Sequence, residues 1–370
     1  MARQQHFMDE LYMLECLSLA EKGAEYVSPN PMVGAVLVKR GKIIGCGYHR
    51  QFGGAHAEVN AMRSAKNNVR GATLYVNLEP CNHFGKTPPC TKLIISSGIK
   101  EVIVGMRDPN PLVQGKGIAQ LRQAGIKVRV GVCKVECQAL NETFTKCIST
   151  GFPFVTLKVA QTLDGKIADG TGKSKWISNM MSQSIVHKLR ARYDAVLVGA
   201  GTVINDNPQL TVRRTTGRNP IRIIIDGRFK VPVAAKVFSK NSNAKTILVV
   251  ANVFLRHQNK KHKELIQRGV EVIGLPSRKN GTIFMKKILF VLGKKGITSV
   301  LVEGGASVYG RLLDEKLADK VILFIAPKIL GSGIDSFSYI SKRLLGNEVQ
   351  LHKLSARNVK GDVLIEGYLH

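Results

Sequence analysis

Apolar residues in this 370-residue chain fall into short blocks whose spacing switches between helical and extended. Over residues 8–23 they recur every three or four positions and stop at Gly23, which predicts a helix closed by a C′ glycine. Two apolar runs, 33–39 and 42–48, flank Arg40-Gly41 and predict a hairpin. Helices are then expected at 57–65, 90–97 and 117–124, and strands at 73–78, 101–106 and 126–130. Alternating helices and strands after a hairpin predict an α/β/α sandwich around a mixed sheet.

Gly151-Phe152-Pro153 interrupts this series and divides the chain into expected domains 1–150 and 151–370. The proline suits the first position of a strand, where a missing N–H is tolerated. Beyond it, strands are expected at 154–160, 194–199, 221–226, 246–250, 270–274, 298–302, 320–325 and 362–368. Helices are expected at 179–192, 257–268, 283–295 and 305–316, so the second domain is also α/β.

Composition narrows the class. The length suits two domains at ~100–200 residues each. A hydrophobic fraction of 44% with 22% charged residues excludes a disordered chain. No apolar run approaches the ~18 residues of a membrane span. The first ten residues are polar with mixed charge and lack a secretory pattern, so a cytoplasmic location is expected. Seven cysteines favour metal ligation or buried thiols over a disulfide framework. Cys16 and Cys46 sit in apolar patterns and are expected in the core, while Cys133, Cys137 and Cys147 read as ordinary thiols.

Net charge is +29, with 19 basic and 11 acidic residues in 1–150 against 36 and 15 in the remainder. The excess lies in scattered pairs such as Lys260-Lys261, Lys286-Lys287 and Lys294-Lys295, which read as solvated faces. Aromatics are only 6%, which gives little for stacking single-stranded bases. A lysine-rich composition or an anionic, phosphorylated substrate explains the charge equally well.

His56-Ala57-Glu58 precedes a predicted helix, Pro80-Cys81 closes a predicted strand, and Cys90 opens the next helix. One imidazole and two thiolates give Zn²⁺ three protein ligands and leave the fourth position for water, whose pKa the metal lowers toward ~7. The helix starts favour the thiolate forms. Glu58, beside the ligand but not one itself, is suited to carry protons between water, a ring nitrogen and a departing amine. H-x-E followed by P-C marks the zinc nucleobase deaminases. Here eight residues separate the cysteines instead of two. A structural four-ligand site is the competing reading, with His83 as the nearest fourth donor.

The segment Cys81-Asn82-His83-Phe84-Gly85-Lys86-Thr87-Pro88-Pro89-Cys90 resembles the zinc loop of the bifunctional riboflavin-biosynthesis deaminase/reductase family. Asn30-Pro31-Met32-Val33-Gly34, Asp108-Pro109-Asn110-Pro111, Leu163-Asp164-Gly165-Lys166, Trp176-Ile177, Asp206-Asn207-Pro208, Leu210-Thr211-Val212-Arg213 and Val302-Glu303-Gly304-Gly305 also resemble it. They span nearly the whole chain in order, although residues 227–297 match only loosely. The resemblance implies a cytidine-deaminase-like first domain that deaminates 2,5-diamino-6-ribosylamino-4(3H)-pyrimidinone 5′-phosphate. It implies a dihydrofolate-reductase-like second domain that reduces the ribosyl group to ribityl with NADPH.

The resemblance places His83 and Lys86 at the pyrimidine and its phosphorylated sugar; a solvent-exposed loop lysine is the alternative. Asn30 is suited to a pyrimidine edge or to an Asn-Pro turn. His49 is suited to the same pocket or to the surface. Asp108 and Asn110 are suited to substrate or to capping a proline-rich turn. In the second domain no G-x-G-x-x-G occurs, but Glu303-Gly304-Gly305 follows a strand and opens a helix, a geometry that suits phosphate or simply a tight turn. The resemblance implies cofactor contacts at Ala160, Trp176, Thr202, Asp206, Gly304, Gly305, Ala306 and Ser307. It implies substrate contacts at Ser174, Arg190, Leu210, Arg213 and Glu303. Lys158 is a candidate neighbour of the transferred hydride. If the sugar opens to an imine, its reduction is largely positioning, with the reacting carbons ~3–3.5 Å apart.

Two other classes compete. A nucleic-acid adenosine or cytidine deaminase with a basic accessory domain would carry P-C-x-x-C and place its charge around the zinc site. A deaminase fused to a non-catalytic nucleotide-binding module would lack reductase activity. A homo-oligomer is compatible with the sequence.

Overall fold

The computed structural model describes residues 2–66, 68–239 and 243–369. The chain divides into two compact units, Met1–Gly151 and Phe152–His370. Among the described residues, no helix is long and apolar enough to cross a membrane.

The first unit runs α1 (Ala2–Glu21), β1 (Gly34–Lys39), β2 (Lys42–Tyr48), α2 (Ala57–Ser64), β3 (Thr73–Leu78), α3 (Cys90–Ser96), β4 (Glu101–Met106), α4 (Lys116–Gln123), β5 (Lys127–Val130), α5 (Lys134–Leu140) and α6 (Glu142–Thr150). Its sheet has the order β2-β1-β3-β4-β5. β1 is antiparallel to β2 and β3, and β3, β4 and β5 are parallel. Alternate residues of each central strand enter two cores. Ala35, Leu37, Leu74, Val76, Val102 and Val104 meet Ala61, Ile94 and Leu121 of the α2–α4 layer. Val36, Tyr75 and Ile103 meet Tyr12, Met13 and Cys16 of α1 and Cys137 of α5. This is the expected sandwich.

Cys46 departs from expectation. It is exposed, whereas Cys16 is buried. The cause is the α2 backbone, which lies directly on β2: a Cβ on Gly45 would sit 2.5 Å from the Ala61 oxygen and one on Gly47 2.3 Å from the Ala61 nitrogen. The two glycines therefore take the inward face, and Cys46 between them faces out. α1 also begins at Ala2, one and a half turns before the expected start.

The second unit runs β6 (Phe154–Thr162), β7 (Lys166–Ala168), α7 (Met180–Arg192), β8 (Ala195–Gly199), α8 (Ala200–Asp206), β9 (Ile221–Ile225), β10 (Thr246–Ala251), α9 (Asn252–Leu255), α10 (Asn259–Gln267), β11 (Val270–Leu275), α11 (Met285–Lys294), β12 (Ser299–Gly304), α12 (Ala306–Asp314), β13 (Lys320–Ala326), β14 (Ile334–Asp335), β15 (His352–Val359) and β16 (Asp362–Tyr368). Its nine-stranded sheet has the order β11-β10-β9-β8-β12-β6-β13-β16-β15. The strands from β11 to β13 are parallel, and β16 and β15 continue the sheet antiparallel. Parallel strands need both faces covered. Val155, Leu157, Leu197 and Val302 pack with Leu289 of α11 and Leu312 of α12 on one face. Val196, Val198 and Leu248 pack with Val203 of α8 and Leu265 of α10 on the other. β12 lies between β8 and β6, so the chain changes direction across the sheet there. Ligands of such sheets bind at the carboxyl ends of the strands, at this kind of switch point.

Leu197 lies at the middle of β8 and is fully buried. Leu197→Ala is expected to destabilise the second unit by ~2–5 kcal/mol, read as a lowered denaturation midpoint at unchanged slope.

Candidate active sites

The carboxyl end of β3 runs on as Glu79-Pro80-Cys81, His56 is the residue before α2, and Cys90 is the first residue of α3. His56 Nδ1 is 3.5 Å from Cys81 Sγ and 3.3 Å from Cys90 Sγ. Around a tetrahedral zinc ion, N and S ligands stand about 3.6 Å apart, so the three donors fit that ion without rearrangement. They are the one group among the described residues whose metal-binding atoms converge in this way. His83 is outside it, which removes the four-ligand arrangement considered for this site. Thr87 Oγ1 lies 3.1 Å from His56 Nε2, so the ring nitrogen facing away from the sulfurs is held by a hydroxyl. The Cys90 backbone N–H donates to Cys81 Sγ at 3.4 Å.

Without a dication the two thiols share a proton. The hydrogen bond from Cys90 holds Cys81 well below the thiol range, while the same bond and burial push Cys90 far above it. A dication supplies the positive charge that lets both ionise. Glu58 is 3% exposed, and burial followed by the neighbouring Cys81 raises its carboxyl above the ordinary value.

The site opens into a cavity of 240 Å³. Asn30, His49, His83, Lys86, Asp108 and Asn110 all line it, together with His56, Glu58 and Cys81. His49 is buried, not on the surface; its Nδ1 faces the Ala55 oxygen at 3.1 Å. A neutral ring donating there presents Nε2 as acceptor to Asn30 Nδ2, 3.1 Å away. Burial lowers the His49 pKa, which suits that neutral form. Lys86 Nζ lies 3.8 Å from the Phe52 ring centre, a stack that fixes a mobile cation at the cavity mouth.

Asp108 and Asn110 form a turn and also line the cavity. Asp108 accepts the Asn110 N–H at 2.8 Å, and Asn110 accepts the Leu112 N–H at 3.0 Å. Burial, then the neighbouring Glu79, raises the Asp108 carboxyl to about 6. Glu79 itself is buried and accepts backbone N–H groups from Asp108, Gly115 and Ile118 at 3.2, 3.0 and 3.1 Å. It ties the segment carrying Asp108 to the end of β3. Sequence reading missed Glu79, Thr87 and Phe52; Glu79, next to Pro80-Cys81, was the most visible of them.

In the second unit, Glu303 at the end of β12 is gripped by Arg190 of α7 through Nε at 2.6 Å and Nη2 at 2.8 Å. Lys158 Nζ of β6 is 3.8 Å from the same carboxylate. Burial alone would raise the Glu303 carboxyl; Arg190 and Lys158 overcome it and lower it to about 2. Lys158 is itself lowered by burial, against the pull of Glu303. Ser174 Oγ donates to Asp206 Oδ1 at 3.0 Å. Lys158, Ala160, Ser174, Trp176, Asp206 and Glu303 line a cavity of 250 Å³.

Thr202, Gly304 and Gly305 close one end of that cavity. A Cβ on Gly304 would stand 3.0 Å from Thr202 Oγ1, so a side chain here would fill the space beside the turn. Ser307 and Gly305 also line a neighbouring cavity of 430 Å³ with the Gly199–Thr202 turn. Glycine turns entering two helix starts and flanked by two cavities fit a dinucleotide phosphate. Ala306 is buried beneath them and lines neither cavity.

Arg190, Leu210 and Arg213 stand beside the cavities and do not line them. Arg190 Nη1 donates to the Thr211 oxygen at 3.1 Å and Arg213 Nη1 to Thr211 Oγ1 at 2.7 Å, so both arginines gather on one residue. Leu210, expected at the substrate, has its side chain in the core and a left-handed backbone (φ 55°). His187 Nδ1 accepts the Arg213 N–H at 3.0 Å.

Two family descriptions match the chain. "Cytidine and deoxycytidylate deaminase zinc-binding region" covers residues 7–106, and "RibD C-terminal domain" covers residues 153–365. The chain is 46% identical over 359 residues to the riboflavin biosynthesis protein RibD of Aquifex aeolicus, covering 97% of this chain and 98% of that one. It is 37% identical to the RibD protein of Escherichia coli, covering 94% and 100%. Among solved structures, it resembles a diaminohydroxyphosphoribosylaminopyrimidine deaminase/5-amino-6-(5-phosphoribosylamino)uracil reductase from Thermotoga maritima at 42% identity and a TM-score of 0.87, covering 99% and 100%. It also resembles Acinetobacter baumannii RibD at 35% identity and a TM-score of 0.88, covering 99% of each chain.

Cys90→Ala is expected to leave the fold intact and to lower the zinc retained after dialysis well below one equivalent, read by elemental analysis. Acid should weaken the second unit through His187. Burial, then Arg190 and Arg213, lowers its folded pKa to about 4, below an unfolded value of ~6.5. Between those values the unfolded state binds more protons, so stability falls as pH falls. The drop in melting temperature from neutral pH toward pH ~4 should be shallower in His187→Gln.

Proposed function

The chain belongs to the RibD family of riboflavin biosynthesis proteins, and from that premise we propose that it performs two consecutive steps at two separate sites. We assign residues 1–150 to a zinc-dependent pyrimidine deaminase and 151–370 to a reductase. The first releases ammonia from 2,5-diamino-6-ribosylamino-4(3H)-pyrimidinone 5′-phosphate. The second reduces the ribosyl chain of that product to ribityl with NADPH, giving 5-amino-6-ribitylamino-uracil 5′-phosphate. The carrying observation is the convergence of His56, Cys81 and Cys90 beside a buried Glu58, at the base of a cavity lined by Asn30, His49 and Lys86.

At the first site, His56, Cys81 and Cys90 would hold zinc, which when bound makes water nucleophilic at neutral pH. Glu58 takes one proton from the attacking water and gives it to the ring nitrogen, then takes the second from the added hydroxyl as the carbonyl forms and gives it to the leaving amine. Asn30 and His49 orient the pyrimidine edge. Lys86, braced on Phe52, takes the phosphate as a point charge. Asp108 and Asn110 close the opposite wall.

At the second site, NADPH when bound supplies the hydride. Ala160, Trp176, Thr202, Asp206, Gly304, Gly305 and Ser307 would hold it, with Ala306 packed beneath them, and Ser174, Arg190, Arg213 and Glu303 the sugar phosphate. Glu303 fixes Arg190 and Lys158 in one place, so the open sugar meets a preorganised cluster of charge. The family and the x8 cysteine loop disfavour a nucleic-acid deaminase. A cytoplasmic location and a homo-oligomer complete the proposal.

The test supplies the diaminopyrimidine ribosyl phosphate and NADPH to zinc-loaded protein and follows ammonia and NADPH absorbance together. Matched appearance and loss are expected. Glu58→Ala should keep zinc and lose ammonia release by about 10²-fold or more, and Asp206→Ala should lose only the reduction. Deamination retained in Glu58→Ala, or no NADPH consumed, would overturn the corresponding half.

A further inference from the structure

Another group of cations gathers at the opposite end of the same sheet. Arg222, Lys245 and Arg268 line a cavity of 220 Å³ with Ser239, Asn243 and Thr246. Arg222 is the second residue of β9, Thr246 is the first of β10, and Arg268 lies two residues before β11. The cavity is therefore at the amino ends of three parallel strands. Its lining shares no residue with the 250 Å³ and 430 Å³ cavities at the carboxyl ends. No carboxylate is among the described lining residues.

The buried member of the group is Arg222, which is 2% exposed. Its Nη2 donates to the Ala244 oxygen at 2.8 Å, and Nη1 reaches the Gln209 oxygen only at 3.5 Å. Nε has no partner among the described residues. Burial alone lowers the Arg222 pKa, to about 10, with no carboxylate acting against it. Other arginines of this protein that point inward meet an acid: Arg190 meets Glu303, Arg129 meets Asp9 and Arg218 meets Asp194. Carbonyl oxygens satisfy donors but do not cancel a charge, so a buried cation is normally paired. Arg222 has no such partner. Lys245, which is exposed, and Arg268 add positive charge at the mouth. Arg268 Nη2 donates to Glu264 Oε1 at 3.0 Å, and Glu264 does not line the cavity.

We propose that this cavity is an anion site, in which a phosphate group, free or at the end of a phosphomonoester, pairs with Arg222 and is completed by Lys245 and Arg268. A tetrahedral oxyanion accepts charge-assisted hydrogen bonds from guanidinium and ammonium groups together, and the Asn243 amide offers a neutral donor. The volume admits the phosphate and a short part of whatever carries it. A ligand here joins the starts of β9, β10 and β11 and stabilises the folded unit by mass action. The site lies apart from both reaction sites, so neither reaction assigned above depends on it.

The experiment follows amide hydrogen exchange of the full-length protein in inorganic phosphate, in glycerol 3-phosphate and in chloride at matched ionic strength. Peptides spanning residues 243–247 and 268–271 should exchange several-fold more slowly in phosphate than in chloride, with half the effect at about 1 mM or below. Phosphate held at the reaction sites protects other peptides, so the two effects separate by position. Slowing by glycerol 3-phosphate as strong as by phosphate, or stronger, assigns the site to a phosphomonoester; slowing by phosphate alone assigns it to the free ion. Lys245→Ala/Arg268→Ala spares the buried arginine and should raise the half-saturating concentration by about tenfold or more. Arg222→Lys keeps the charge but loses the fork, and should raise it by a similar factor. Exchange at these peptides that is equal in phosphate and chloride would overturn the site. So would slowing that is unchanged in the Lys245→Ala/Arg268→Ala protein, whether or not the Arg222 variant folds.

Discussion

A parallel strand covered on both faces has only its ends left for polar chemistry. Both units obey that constraint. In the first, β3 and β4 end at Leu78 and Met106, and Cys81 and Asp108 follow within three residues. In the second, β6, β8, β9 and β12 bring Thr162, Gly199, Ile225 and Gly304 to one edge. Helices of both layers begin there, so partial positive charge and unpaired N–H groups collect where the strands stop. The two sites are built from different ligand sets around one glutamate each, yet both lie at the carboxyl ends of the parallel strands in their sheets.

Those glutamates are stabilised in opposite ways. Glu58 sits beside thiols that ionise fully only against a dication, and its own carboxyl is raised by burial. The Glu303 side chain is 5% exposed but is clasped by a guanidinium and an ammonium that keep it charged. One carboxyl is pushed toward its protonated form; the other is a fixed anion that organises cations around it. A buried ion pair of the second kind adds little net stability. Its value is in holding Arg190 and Lys158 still.

Most of the architecture was legible in the sequence because the central strands and their covering helices carry strong periodicity. Elements that escaped have weak patterns for physical reasons. β15 reads HKLSARNV with seven of its eight residues exposed, so no alternation marks it, and it exists through pairing with β16. α5 follows a left-handed Cys133 and spans only two turns. Metal ligands and pocket residues of the first unit were legible because they cluster in short motifs. The core packing of the Leu210 side chain was not legible, since a motif cannot say which way a side chain turns. Glu79 escaped because its role depends on backbone groups 29 to 39 residues away.

Glu79 has a consequence for modularity. Three main-chain donors from the segment after β4 converge on a side chain from the end of β3, so two loops distant in sequence behave as one part. A Cβ on Gly117 would lie 2.1 Å from the Pro80 oxygen, leaving no slack at their seam. Recombining either loop alone with a relative would strand a buried carboxylate or three amides. The heritable unit on this side of the cavity is the pair of loops together with the glutamate that joins them.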